Sequence, residues 1–104
     1  MNKVLLLTTT ESNKKRSKRI AKLLIKKKLA VCVSLKDIYS IYEWEGKIEE
    51  VEEVEIIIKS EPELKNDLIS FLQKKISYDV PQILLKKFNS EKNYVKWIKR
   101  TLSK

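Results

Sequence analysis

The only glycine in this 104-residue chain, Gly46, separates two runs that both favour extended backbone. LAVCVSLKDIYSIYEWE precedes it and KIEEVEEVEIIIK follows it. Both are rich in β-branched and aromatic residues, which suit a pleated, half-buried surface. A glycine between them supplies the positive φ that a tight hairpin turn demands. The stretch Leu29–Lys59 therefore predicts one long β-hairpin. Its first arm, Val31 to Trp44, would reach roughly 45 Å at about 3.3 Å per residue. A globule of about 100 residues has a radius of gyration of about 13 Å and is only roughly 30–35 Å across. The arm must overhang its own domain, and a long apolar edge left bare invites association. Lys36-Asp37 interrupts the alternation of the first arm and marks an expected bulge or bend.

The flanking segments define what the hairpin belongs to. Lys3 to Thr9 (KVLLLTT) is a short apolar run that reads as a buried central strand. Thr10 is the expected N-cap of a helix running to Lys28. Along it Ser17, Ile20, Ala21 and Leu24 fall on one side, while Lys14, Lys15, Lys18, Arg19, Lys22 and Lys26 spread over the other. After the hairpin, Ser60-Glu61-Pro62-Glu63 has the form of a capping box. Leu64, Leu68, Phe71, Leu72 and Ile76 then continue at helical spacing. Val80 to Phe88 reads as a fourth strand, with Pro81 near its start. Asn89 or Ser90 opens a last helix with Tyr94, Val95, Ile98 and Leu102 facing inward and Trp97 on the flank. The order β-α-β-β-α-β-α predicts an α+β ferredoxin-like sandwich with an antiparallel sheet, a long β2–β3 hairpin and an added C-terminal helix. The length suits a single domain over residues 1–104.

Composition narrows the function classes. No apolar run approaches the ~20 residues of a membrane span, and Met1 leads straight into a strand with no signal-peptide pattern. One cysteine forms no internal disulfide, so a cytoplasmic location is expected. The net charge of +9 suggests a polyanion partner, but the charges lie in blocks. Lys14–Lys28 carries no acid, whereas Glu43, Glu45, Glu49, Glu50, Glu52, Glu53 and Glu55 crowd the hairpin. Separate blocks of opposite sign also suit contact between copies of one chain. The chain has no histidine for general-base work and no G-x-S-x-G or phosphate-binding loop, so a non-enzyme is expected. Val4–Thr8 and Val54–Ile58 lack the aromatics on which a ferredoxin-like RNA binder stacks bases.

Few side chains stand out as sites. Cys32, in the apolar AVCV, reads as a small buried hydrophobe or as a thiolate for a soft ion such as Cu(I). One thiol without an imidazole makes no ordinary intrachain transition-metal site, so several copies would have to contribute. Tyr39, Tyr42 and Trp44 near the hairpin tip read as interface aromatics or as a wall of a ligand cleft. Glu49, Glu50, Glu52 and Glu53 form a solvated acidic face or hold a hard cation.

Several of these segments together resemble the CutA divalent-cation tolerance proteins. They are Thr8-Thr9-Thr10, Leu29-Ala30-Val31-Cys32-Val33, and the specific run Ser40-Ile41-Tyr42-Glu43-Trp44-Glu45-Gly46-Lys47-Ile48-Glu49-Glu50. Ile57-Ile58-Lys59-Ser60, Tyr78-Asp79-Val80-Pro81 and Asn93-Tyr94-Val95-Lys96-Trp97-Ile98 complete the set, in order and over essentially the whole chain. The resemblance implies a ferredoxin-like protomer in a tight homotrimer, similar in shape to PII-type signalling proteins, with long hairpins paired between subunits. It implies a role in tolerance to copper and other divalent cations. It also implies intersubunit clefts lined by the positions of Cys32, Tyr42, Trp44, Lys59 and Tyr78. Where the family has H-P-Y-E-V-P-E, this chain has Ile76-Ser77-Tyr78-Asp79-Val80-Pro81-Gln82, which removes an imidazole and one carboxylate. A copper site here would have to rest on Cys32.

The expected function is thus a homotrimeric metal-ion response or signalling scaffold without a required cofactor, with copper or another divalent cation as the candidate bound ion. Two alternatives stand beside it. One is a PII-like sensor of a small anion or nucleotide using Lys59. The other is nonspecific nucleic-acid binding through the basic helix 14–28.

Overall fold

A computed structural model describes residues 2–103 as a four-stranded antiparallel sheet with three α-helices. Chain order gives β1 (Lys3–Glu11), α1 (Lys14–Lys26), β2 (Cys32–Trp44) and β3 (Lys47–Ser60). A 3₁₀ turn (Pro62–Leu64), α2 (Lys65–Lys75), β4 (Leu84–Asn89) and α3 (Lys92–Leu102) follow. The sheet order is β2-β3-β1-β4, the split βαβ arrangement that the sequence predicts.

Alternation along β1 and β3 builds the main core. Leu5 and Leu7 lie on the face that carries Ile56 and Ile58, and all four are fully buried. Ile20 and Leu24 of α1 and Leu68 and Leu72 of α2 cover that face. A second, smaller cluster forms where α3 sets Val95, Ile98 and Leu102 against Val4 at the start of β1. Trp97 stays on the flank of α3 and stacks on Tyr94, with ring centroids 5.7 Å apart. The other face of the sheet is only partly covered. Leu84 and Phe88 of β4 stand 61% and 44% exposed there.

Several local expectations give way to stronger competitors. Thr10 does not cap α1, because pairing with β3 carries β1 on to Glu11. Asn13 caps the helix instead, its Oδ1 accepting from the Arg16 amide at 2.9 Å. Ser60 caps nothing: it is the buried last residue of β3, and its hydroxyl donates to the Leu29 carbonyl. The predicted capping box therefore opens a 3₁₀ turn and not a regular helix. Lys36-Asp37 makes no bulge, since the pairing runs unbroken through Lys36↔Glu55 and Asp37↔Val54. β4 starts at Leu84, later than the predicted Val80, which leaves residues 76–83 as a connection without regular structure.

The hairpin behaves as its length requires. Glu45 and Gly46 turn the chain with φ of 51° and 79°, the two positive values of a type I′ turn. β1 stops opposite Val54, while β2 and β3 stay paired all the way to Trp44↔Lys47. The molecule measures 46 × 25 × 22 Å, its long axis set by this projection.

Candidate functional site

The mismatch between a short β1 and a long β3 leaves a corner at Glu11, and the 76–83 connection fills it. Glu11 has a completely buried side chain. Its carboxylate accepts from the Ser77 amide at 3.0 Å, from the Ser77 hydroxyl, and from Arg16 Nε at 3.2 Å. A buried carboxylate needs such partners to offset its lost hydration. The three bonds tie the end of β1, the first turn of α1 and the connection together. Tyr78 and Asp79 are thereby carried to the side of the projecting hairpin.

A cavity of about 780 Å³ opens between that connection and the hairpin. Tyr42 and Trp44 from β2 and Tyr78 from the connection give it aromatic walls. Glu49, Glu53 and Glu55 of β3 and Asp79 give it carboxylates, and no lysine or arginine among the described residues lines it. Tyr42 faces Glu49 across the strand pair, and Ile38 faces Glu53. Glu53 is only 8% exposed, and its carboxylate has no hydrogen-bond or ion-pair partner among the described residues. Burial pushes the Tyr78 phenol up to about 12, reinforced by the negative charges of Glu53 and Glu11 and by Tyr42. Tyr78 therefore enters the cavity as a neutral hydroxyl at any physiological pH.

The sequence-selected residues divide into two groups. Tyr42, Trp44 and Tyr78 meet at the cavity. Cys32 and Lys59 instead face one another at the opposite end of the hairpin. Ten strand residues from Cys32 to Tyr42 correspond to about 33 Å, so one chain does not combine the thiol with the aromatic walls. Cys32 is half-buried and free. Among the described residues, no group of three or more His, Cys, Asp or Glu side chains is arranged to hold a metal ion. The basic residues of α1 are exposed; Lys14 pairs with Asp37 at 3.4 Å and Arg16 with Glu11.

Two features escape a reading by sequence pattern. Glu53 looks like one more solvated acid in an acidic run, but its position opposite Ile38 and beside Tyr78 buries it. Glu11 and Ser77 are far apart in sequence, and their only warning is an acid placed directly after an apolar strand.

Comparison with known proteins agrees with this geometry. Residues 4–101 match the family described as CutA1 divalent ion tolerance protein. The human Protein CutA is 38% identical over 90 residues, which span 85% of this chain and 50% of the human protein. The Divalent-cation tolerance protein CutA of Thermococcus kodakarensis is 35% identical over 101 residues, spanning 94% of this chain and 95% of that one. Among solved structures, the periplasmic divalent cation tolerance protein CutA of Archaeoglobus fulgidus superimposes with a TM-score of 0.92 at 32% identity. That superposition covers 96% of this chain and 99% of the other. No helix among the described residues is long and apolar enough to cross a membrane.

Proposed function

The chain belongs to the CutA1 divalent ion tolerance family, and from that membership we propose that it acts in divalent-cation tolerance as a cytoplasmic, homotrimeric scaffold without catalysis. The observation that carries the assembly is the incomplete burial of the hairpin and of the sheet face continuous with it. Ile41 and Ile48 are 64% and 76% exposed on the projection, and Leu84 and Phe88 stand bare on β4. The outer edge of β2 has no neighbour along its whole length, and β3 has none on its β1 side before Val54. Unpaired edges and apolar surface of this extent favour pairing between copies. The trimer is the closed form that the family resemblance implies.

Light scattering tests it directly. A particle of three times the 12.3 kDa chain mass is expected, and charges placed by Ile41→Asp with Ile48→Asp should shift it toward the monomer. A stable wild-type monomer at micromolar concentration would overturn the reading.

Metal binding through Cys32 would require thiols from several copies, since one chain offers a single soft donor. Calorimetry with Cu(I), Cu(II) and Zn²⁺ on the native protein and Cys32→Ser decides this, and equal weak heats in both would remove Cys32 from any site. The anion-sensor reading draws little support, because Lys59 lies far from a cavity whose walls carry only acids. Titration with ATP without heat would dispose of it. Nucleic-acid binding keeps one supporting observation, the exposed basic face of α1. Retention on DNA at low salt should then fail when Lys18 and Lys22 are reversed to Glu.

A further inference from the structure

We infer that the cavity beneath the hairpin is a binding site for an organic cation, an ammonium or guanidinium group held by the Glu53 carboxylate against the rings of Tyr42, Trp44 and Tyr78. Three observations converge on it. Glu53 is more than nine-tenths buried, faces the cavity and has no partner among the described residues. An ionised carboxylate withdrawn from water is costly until a cation pairs with it. The walls beside it are aromatic, and ring faces attract ammonium and guanidinium groups most strongly when those groups are desolvated. Finally, about 780 Å³ is the size of an organic-ligand cavity and far exceeds the space one ion needs.

The same geometry distinguishes an organic cation from a bare metal ion. Divalent metals demand several oxygen ligands converging within about 2.0–2.6 Å. No such set of three carboxylates is assembled among the described residues. A ligand with an extended body can instead reach Glu53 with its charged head while its carbon atoms cover the aromatic rings. The high pKa of Tyr78 keeps its hydroxyl protonated, so it adds no charge and its ring remains a neutral wall. Negative residues in the cavity, on a chain of net charge +9, also give a cation a local minimum that the rest of the surface does not offer. The cavity belongs to a single chain, so the inference does not rest on the trimer. A monomer in light scattering would end that reading and leave this one standing.

The test is titration of the native protein with butylammonium, tetramethylammonium and methylguanidinium chlorides against sodium chloride at equal ionic strength. Trp44 supplies the fluorescence readout in a Trp97→Phe background, with calorimetry in parallel. Saturable binding of at least one organic cation is expected. Glu53→Gln, which keeps the shape and removes the charge, should weaken binding about tenfold or more. Trp44→Leu, read by calorimetry, retains the carboxylate and should weaken tetramethylammonium more than butylammonium. If Glu53→Gln fails to fold, Trp44→Leu and Tyr78→Phe carry the same test. The inference is overturned if none of the three probes saturates, or if Glu53→Gln binds as the native protein does. It is equally overturned if Mg²⁺ or Zn²⁺ saturates the Trp44 signal while the organic cations do not. A fall in particle mass on Glu53→Gln would show that a neighbouring chain's cationic side chain fills the cavity, and would also overturn it.

Discussion

Along β2 and β3 one unbroken register runs from Cys32↔Lys59 to Trp44↔Lys47, yet the two halves of that ribbon are held by different things. At the base, Ile56 and Ile58 are sealed between β1, α1 and α2 and have no exposure. Past Val54, the ribbon has neither β1 beside it nor a helix over it. Ile41 and Ile48 point to solvent although their residue type and spacing match those of the base. Propensity and cross-strand pairing suffice to shape a strand, but they do not bury it. Burial depends on which neighbour reaches that far, and here β1 ends at Glu11.

The largest effect is expected where the two halves differ most. Ile58→Ala should cost about 2–5 kcal/mol in denaturant unfolding, as large-to-small changes in sealed cores do. Ile48→Ala should change the stability of the dissociated chain by less than about 0.5 kcal/mol, as exposed substitutions do. Its effect should appear in the assembled mass. Equal losses at the two positions would mean that the projecting half is buried within its own chain, and the contrast would be gone.

The junction between the halves offers the next largest effect. Glu11→Ala removes the acceptor of the Ser77 amide and strands a donor at the corner, which should cost about 1–3 kcal/mol. Arg16 is 44% exposed in its side chain, and Arg16→Ala should cost no more than about 1 kcal/mol. Hydrogen exchange resolves the location: in Glu11→Ala the amides of Ser77, Tyr78 and Asp79 should exchange faster while those of Ile56 and Ile58 do not. Uniform acceleration across β3 would show that Glu11 supports the whole sheet and not the corner alone.

The base was legible in the sequence because its signals are local and repeated. Alternating Val54, Ile56 and Ile58, the apolar run of β1 and the helical stripe through Leu68 and Leu72 all announce one core. The projecting half was legible as geometry, from arm length against domain size. The corner was not. Glu11 and Ser77 lie on opposite sides of the hairpin in sequence, and nothing short of the folded register brings them together. The same register turned Glu53 from an acid among acids into a buried wall of the cavity. Thr10 and Ser60 misled for the opposite reason. Both are good caps locally, but strand pairing extends over them and removes the helix start they would have served.

Titration sharpens the contrast between corner and projection. Tyr78, packed at the corner, has its phenol pushed up to about 12, first by burial and then by Glu53, Glu11 and Tyr42. Tyr39, out on the ribbon, is raised mainly because its hydroxyl donates to Glu50 at 2.9 Å. For Tyr78 the folded value lies above the ordinary 10.0, so the folded chain holds a proton that the unfolded chain has lost. The stability it contributes is complete below about pH 10 and is lost as pH rises toward the folded value. In a tyrosinate absorbance titration, Tyr78→Phe should delete the last of the steps while Glu50→Gln shifts an earlier one downward. Should Tyr78→Phe remove an early step, the corner would be as wet as the ribbon.

The smallest effect is expected at the tip, where no packing is at stake. Glu45 sits at φ of 51° and Gly46 at 79°, and an added Cβ on Gly46 would meet nothing within 4 Å. What limits substitution there is backbone conformation alone. Glutamate tolerates the left-handed region poorly, whereas asparagine before glycine is the favoured pair of a type I′ turn. Glu45→Asn should therefore stabilise the chain, by no more than about 1 kcal/mol, without altering the core. Gly46→Ala should destabilise it by a similar amount through strain, despite the open space around it. Both changes should register in the amides of Trp44 and Lys47 and leave Ile56 untouched. If either one moves the exchange of Ile56, the two halves of the ribbon form one cooperative unit and β1 does not mark a boundary between them.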